Sequence, residues 1–402
     1  MKKITLLIAL VIFVATSVSV HAQSSKINAS KYNRVDVNKH QASQAATPIS
    51  GKEAVSDAVS EAHPTTTGTA RAADPIGTVV GYTSYDLQTN NSIARRVVMD
   101  DDGTAHMVWT YDLNFSAAAP DRGTGYNYVN PDGSVGIFPG SIDIDGNFTD
   151  PDVVRIESDR NGWPNLVRLE SGRLINVSHF AGAATEGLTY SYKDPESDWV
   201  TGALSDYGVG VDDDTWARVA ASGNTVHIIA SKFTANDPCG LPGGLTYYRS
   251  EDGGETWTTF DGAGGCLLSN VEVGSVGGDS YAIEANGDNV AVTIGFFNII
   301  LLKSSDGGLT WDDPVYINDK IDRAYGANDG EVLSEDAVLG TDGGLSMVID
   351  NDGKVHIWAG NIVATDDDPA AGYSYYPSAI NALGYWNEDM GDDTHEVIGG
   401  DD

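Results

Sequence analysis

Ser250-Glu251-Asp252-Gly253-Gly254-Glu255-Thr256-Trp257 and Ser304-Ser305-Asp306-Gly307-Gly308-Leu309-Thr310-Trp311 are the two stretches on which the fold turns. Both obey S-x-D-x-G-x-T-W, and they lie 54 residues apart (304 − 250). A carboxylate flanked by hydroxyl side chains can accept backbone N–H groups inside a tight turn. The paired glycines supply backbone angles that other residues avoid. A Trp closing so polar a turn is suited to bury its ring in the groove between neighbouring sheets. A decayed copy, Asp194-Pro195-Glu196-Ser197-Asp198-Trp199, lies 58 residues upstream (252 − 194). Such spacing predicts a repeating β unit.

Working outward, one pattern recurs from Ile76 onward. The second strands align as Ala105–Trp109, Ile175–His179, Val226–Ala230, Val290–Ile294 and Val355–Ala359, each preceded by an Asx-Gly or Ser-Gly turn. The third strands align as Gly125–Tyr128, Gly187–Tyr190, Gly244–Tyr248, Ile299–Leu302 and Gly372–Tyr376. Five four-stranded units fit between about residue 90 and about residue 390, an ordinary size for propeller blades. No 3.6-residue period appears there. The expectation is an all-β chain, a β-propeller with five countable blades. A sixth would be closed by Gly77–Leu87 and strands beyond Asp402. His106, His227 and His356 occupy equivalent strand positions and read as a repeated packing position, because equivalent residues lie on different blades.

The S-x-D-x-G-x-T-W turns resemble the Asp-box, or bacterial neuraminidase repeat, of sialidases and related propellers. Its residues here are Ser250, Asp252, Gly254, Thr256 and Trp257, and Ser304, Asp306, Gly308, Thr310 and Trp311, all read as scaffold. The resemblance implies a sialidase-like site: an Arg cluster for a substrate carboxylate, a Tyr–Glu nucleophile pair and an Asp acid/base. Bidentate, charge-assisted bonds explain the Arg requirement. The matching candidates are Arg96 (or its neighbour Arg95), Arg160 and Arg218, with Asp213 within Asp212–Asp214, and Tyr281 with Glu284. The chain departs from the family in lacking an Arg-Ile-Pro element in the first blade and an Arg near Leu345. Tyr281 and Glu284 are also three apart, so a strand points them to opposite faces.

The first residues predict export. Lys2 and Lys3, an apolar run from Ile4 to Val14, and Val20-His21-Ala22 form a signal-peptide pattern over residues 1–22. Residues 23–74 are rich in Ser, Ala, Gln and Thr, hold few large apolar residues, and read as a disordered linker before a propeller domain over 75–402. The phrasing of the chain also resembles exported surface proteins of the Bacteroidetes. A secreted or cell-surface protein, with a periplasmic location as the variant, follows. No later stretch has membrane-spanning length.

With 58 acidic and 23 basic residues the formal net charge is −35. That field repels nucleic acid and anionic lipid, and opposes an anionic sugar unless local arginines override it. Cys239 and Cys266 are placed symmetrically about the turn at Asp252-Gly253, which favours a disulfide over two free thiols or a metal pair. Asp143, Asp145, Asn147 and Asp150 offer hard oxygens at alternating positions and are Ca²⁺ candidates, the alternative being a solvated acidic turn. The loops that follow second strands and join blades are long, and they make one end of the ring the candidate binding face. The functional expectation is a non-catalytic module that binds a glycan or a cell-surface protein. The alternative is an exo-α-sialidase.

Overall fold

The computed structural model describes residues 35–36, 77–85, 87–88, 95–114, 119–142, 148–149, 152, 155–181, 186–204, 214–232, 245–259, 280–295, 298–318, 337–368, 372–376, 381–391 and 396–401. Strand follows strand, and among these residues no helix is long and apolar enough to cross a membrane.

Three complete four-stranded antiparallel sheets succeed one another. They comprise Asn161–Arg168, Leu174–Ala181, Glu186–Lys193 and Val200–Leu204; then Asp214–Ser222, Thr225–Lys232, Leu245–Ser250 and Thr258–Thr259; then Tyr281–Asn286, Asn289–Ile294, Ile299–Ser304 and Val315–Asn318. A three-stranded sheet precedes them (Val97–Met99, Ala105–Tyr111, Gly123–Val129), and a sheet built on Val338–Ile349 and Val355–Asp368 follows. First strands of consecutive sheets pack together, from the first sheet to the fifth. Meandering sheets stacked through their inner strands are the blades of a β-propeller, with five among the described residues.

The core lies between blades. In Val226-His227-Ile228-Ile229-Ala230, Val226, Ile228 and Ala230 face the second blade, and Ile229 faces the fourth. Burial on both faces explains why the strand is apolar almost throughout instead of alternating. The turn motifs tie this stack at its rim. Asp252 Oδ1 accepts the N–H groups of Glu255 (3.0 Å) and Thr256 (2.8 Å), while Ser250 Oγ accepts Gly254 N–H (2.8 Å). Asp306 and Ser304 repeat the pattern with Leu309, Thr310 and Gly308. Both glycines of each pair are left-handed, Gly253 and Gly254 at φ +73° and +89°, Gly307 and Gly308 at +71° and +81°. Each closing Trp packs on a third-strand Tyr of the preceding blade: Trp199 on Tyr126, Trp257 on Tyr190, Trp311 on Tyr247, with ring centroids 5.1, 5.5 and 5.2 Å apart.

The three equivalent histidines serve packing. His106, His227 and His356 bond through Nδ1 to the hydroxyls of Tyr126, Tyr247 and Tyr385 at 2.8, 2.7 and 2.7 Å. The third of these pairs corrects the strand assignment in the fifth blade. Gly372–Tyr376 is not its third strand; that place belongs to Asn381–Asn387, which pairs with His356–Asn361. The second strand is long enough to carry both partners, and Gly372–Tyr376 pairs instead with its far end, Val363–Asp368. Two further strands complete this sheet, Glu396–Asp401 on the outer side and Val35–Asp36 against Ser374 and Tyr375. Val35–Asp36 comes from within the segment read as a linker. Gly77–Tyr85 forms no ladder strand; it lies over the first blade, where Asn127 donates to Val80 O (2.7 Å) and Ser84 N–H to Asp112 O (2.6 Å).

Candidate functional site

The inner strands of the second and third blades begin alike. Asn161-Gly162-Trp163 and Asp214-Thr215-Trp216 each enter the ladder and break register at once, between Gly162 and Asn165 and between Thr215 and Arg218. At each break a Trp sits in the left-handed region, Trp163 at φ +51° and Trp216 at +49°. A bulky residue there is strained, and the strain persists only where its surroundings over-determine it.

The surroundings do so. The indole of Trp163 is 1% exposed, with the Arg122 guanidinium 4.4 Å from its centre and the His179 ring stacked 5.0 Å away. Tyr85 meets its edge at 5.6 Å. Trp216 is only half-buried. Its N–H donates to His179 Nδ1 (3.3 Å), and its carbonyl accepts the Tyr281 hydroxyl (2.7 Å). That hydroxyl also accepts Ser231 N–H (3.1 Å). Tyr281 is therefore anchored in the wall between the third and fourth blades.

Three arginines place positive charge near His179. Arg122 is fully buried and donates through Nε to Asn161 O (3.0 Å). Its close passage requires Gly162, where a Cβ would stand 2.7 Å from Arg122 Nε. Arg160 is half-buried and donates to Ala119 O (3.0 Å). Arg218 is 4% exposed, donates to Ala217 O (2.9 Å), and lies 5.9 Å from the centre of the Tyr281 ring. Burial, together with the positive charges of Arg122, Arg160 and Arg218, holds the His179 imidazole well below its usual pKa. It is a neutral ring at neutral pH, with Nδ1 an acceptor.

Two buried carboxylates frame the group. Glu157 accepts Thr124 N–H (2.9 Å), Thr124 Oγ1 (2.8 Å), Ser178 Oγ (2.7 Å) and Asn176 Nδ2 (3.2 Å), and so ties the first blade to the second. Asp214 accepts Thr246 Oγ1 (3.0 Å) and the Tyr248 hydroxyl.

Of the residues singled out from sequence, Arg160, Arg218 and Tyr281 come together here. Arg96 donates to Gln88 O, and Arg95 pairs with Glu284. Tyr281 and Glu284 are held by different partners, as strand alternation implied. Asp213, Cys239, Cys266, Asp143, Asp145, Asn147 and Asp150 lie outside the described residues. No sequence pattern marks Arg122 or His179 as site residues. The repeat offered one signal, a Trp three residues into two successive inner strands.

Neither a protein-family model nor a curated protein matches the chain. Solved structures with a similar fold include a protein of unknown function from Dyadobacter fermentans, at 11% identity and TM-score 0.39, covering 78% of this chain and 95% of that one. A polysaccharide lyase of family PL25, an ulvan lyase bound to -[GlcA(1-4)Rha3S]-, aligns at 9% identity and TM-score 0.41, over 76% of this chain and 68% of that one. The NanB sialidase of Streptococcus pneumoniae aligns at 12% identity and TM-score 0.40, over 80% and 69%.

Proposed function

We propose that the chain is a secreted propeller that binds a carboxylate-bearing glycan, without turning it over, where the inner strands of the second and third blades begin. The observation that carries this reading is the stack of buried Arg122 on Trp163 and of Trp163 on His179, with the charges of Arg160 and Arg218 felt at the same ring. In a protein of net charge −35, so local a concentration of guanidinium groups reverses the general repulsion of anions. Guanidinium forks match a carboxylate in geometry as well as charge. Half-buried Arg160 and Trp216 form the approach, and buried Arg122 and Arg218 the positive floor. Secretion rests on the basic, apolar and small-residue pattern of residues 1–22.

Support for binding without turnover comes from how the nucleophile candidates are engaged. A Tyr–Glu pair has to share a proton, yet the Tyr281 hydroxyl is committed to Trp216 and Ser231, and Glu284 to Arg95. Sialylated and uronate-containing glycans on an array, alongside a fluorogenic sialoside, test the reading. Binding without release of the fluorophore, weakened in Arg160→Ala, is the expected result. Turnover of the sialoside by the wild type, lost in Arg218→Ala, would establish the exo-α-sialidase alternative in its place.

A further inference from the structure

Trp163 and Trp216 share a backbone conformation and differ in what it achieves. Trp163 is sealed between Arg122 and His179 and can touch no ligand. Trp216 has the same unfavourable φ but is only half-buried, beside the His179 ring at 6.3 Å and 81°. Its peptide is gripped from two blades. His179 of the second blade takes its N–H, and Tyr281 of the fourth holds its carbonyl. The left-handed φ is held in place by these two contacts. What it fixes is the direction of the indole, at the approach to the arginine floor.

We propose that Trp216 is the stacking platform for a pyranose ring, and that His179 and Tyr281 are positioning residues that hold its backbone in the left-handed state. The proposal rests on the glycan-binding reading of the same site. The ligand class it implies is a hexopyranose carrying a carboxylate: the ring's C–H face lies on the indole while the acid reaches the guanidinium of Arg160. A neutral His179 is part of the device, because a protonated imidazole could not accept the Trp216 N–H.

The full chain labelled with 5-fluorotryptophan provides the test, with 3′-sialyllactose and a β-1,4-linked tetraglucuronate as probes. The Trp216 resonance, assigned from the Trp216→Phe variant, is expected to move on saturation with one of the probes. Affinity should fall about tenfold or more in Trp216→Leu, which keeps apolar bulk and loses the aromatic face, and by less than about threefold in Trp216→Phe. Tyr281→Phe should weaken binding in the wild type and add nothing in the Trp216→Leu background, since residues acting as one unit are not additive. Thermal melts of each variant establish that binding is compared between folded proteins. Wild-type affinity in Trp216→Leu, or an unmoved Trp216 resonance at saturation, overturns the platform alone. A wild type that binds neither probe overturns the glycan reading, and the platform with it.

Discussion

Arg95 and Glu284, 189 residues apart in the chain, form an ion pair between the entry to the first blade's inner strand and the middle of the fourth blade's inner strand. It joins non-neighbouring blades. Burial raises the Glu284 pKa, and the Arg95 charge opposes that rise without cancelling it. A carboxyl whose folded pKa is raised stabilises the fold most while protonated. Its contribution is whole below the ordinary value of about 4.3 and is lost as pH rises through the raised one. Urea melts between pH 4 and 8 should show that slope in the wild type and a flatter profile in Glu284→Gln. Identical slopes would refute the assignment.

The buried histidines act in the opposite direction. Burial, with help from Arg249, lowers the His227 pKa to about 3, and His179 is likewise held low. The His227 ring stays neutral at pH 5, and NMR titration of its ring protons should show no inflection above that pH. The stability these histidines contribute is complete above about pH 6.5 and is lost as pH falls toward the folded value. Acid unfolding should therefore start earlier in the wild type than in His227→Gln.

Two left-handed glycines separate backbone strain from steric clash. Gly287 has φ +60°, and an added Cβ would meet nothing within 4 Å. Gly308 has φ +81°, and a Cβ there would lie 1.9 Å from the Tyr247 hydroxyl. Gly287→Ala should cost about 1 kcal/mol. Gly308→Ala should cost about 3 kcal/mol, because Tyr247 must also leave His227. Equal losses in denaturant midpoint would show that the clash relaxes freely.

The rim turns should matter through their Trp more than through their Asp. Trp311→Ala opens a void against Tyr247 and should cost about 3 kcal/mol. Asp306 is only half-buried, so Asp306→Ala should cost only about 1 kcal/mol despite its bonds to Thr310, Leu309 and Ser304. The Thr310 hydroxyl and backbone hold the Asp306 carboxyl at about 2. Its contribution is therefore present above about pH 4 and is lost only as pH falls through that value. A larger loss from Asp306→Ala than from Trp311→Ala, measured by denaturant titration, would reverse the ranking.

Some of this architecture was legible in the chain, and the reason is locality. Period-two alternation, Asx-Gly turns and the S-x-D-x-G-x-T-W motif act within a few residues, so the blade register from Tyr190 to Trp311 could be read directly. The Trp packing between sheets followed from the same motif. In the fifth blade the reading failed because Gly372–Tyr376 and Asn381–Asn387 both carry a Gly-Tyr pair, Gly372-Tyr373 and Gly384-Tyr385. Only the tertiary pairing of Tyr385 with His356 selects between them.

The candidate site shows the same division more sharply. Strand alternation was enough to turn Tyr281 and Glu284 to opposite faces, since that property is set by the two-residue period alone. Nothing in the order of residues could bring Arg122, Arg160 and Arg218 to His179, because they belong to three blades and meet only when the blades pack. Nor could it reveal Trp163 and Trp216 as left-handed. Trp, unlike Gly, carries no preference for that conformation, and contacts from neighbouring blades impose it.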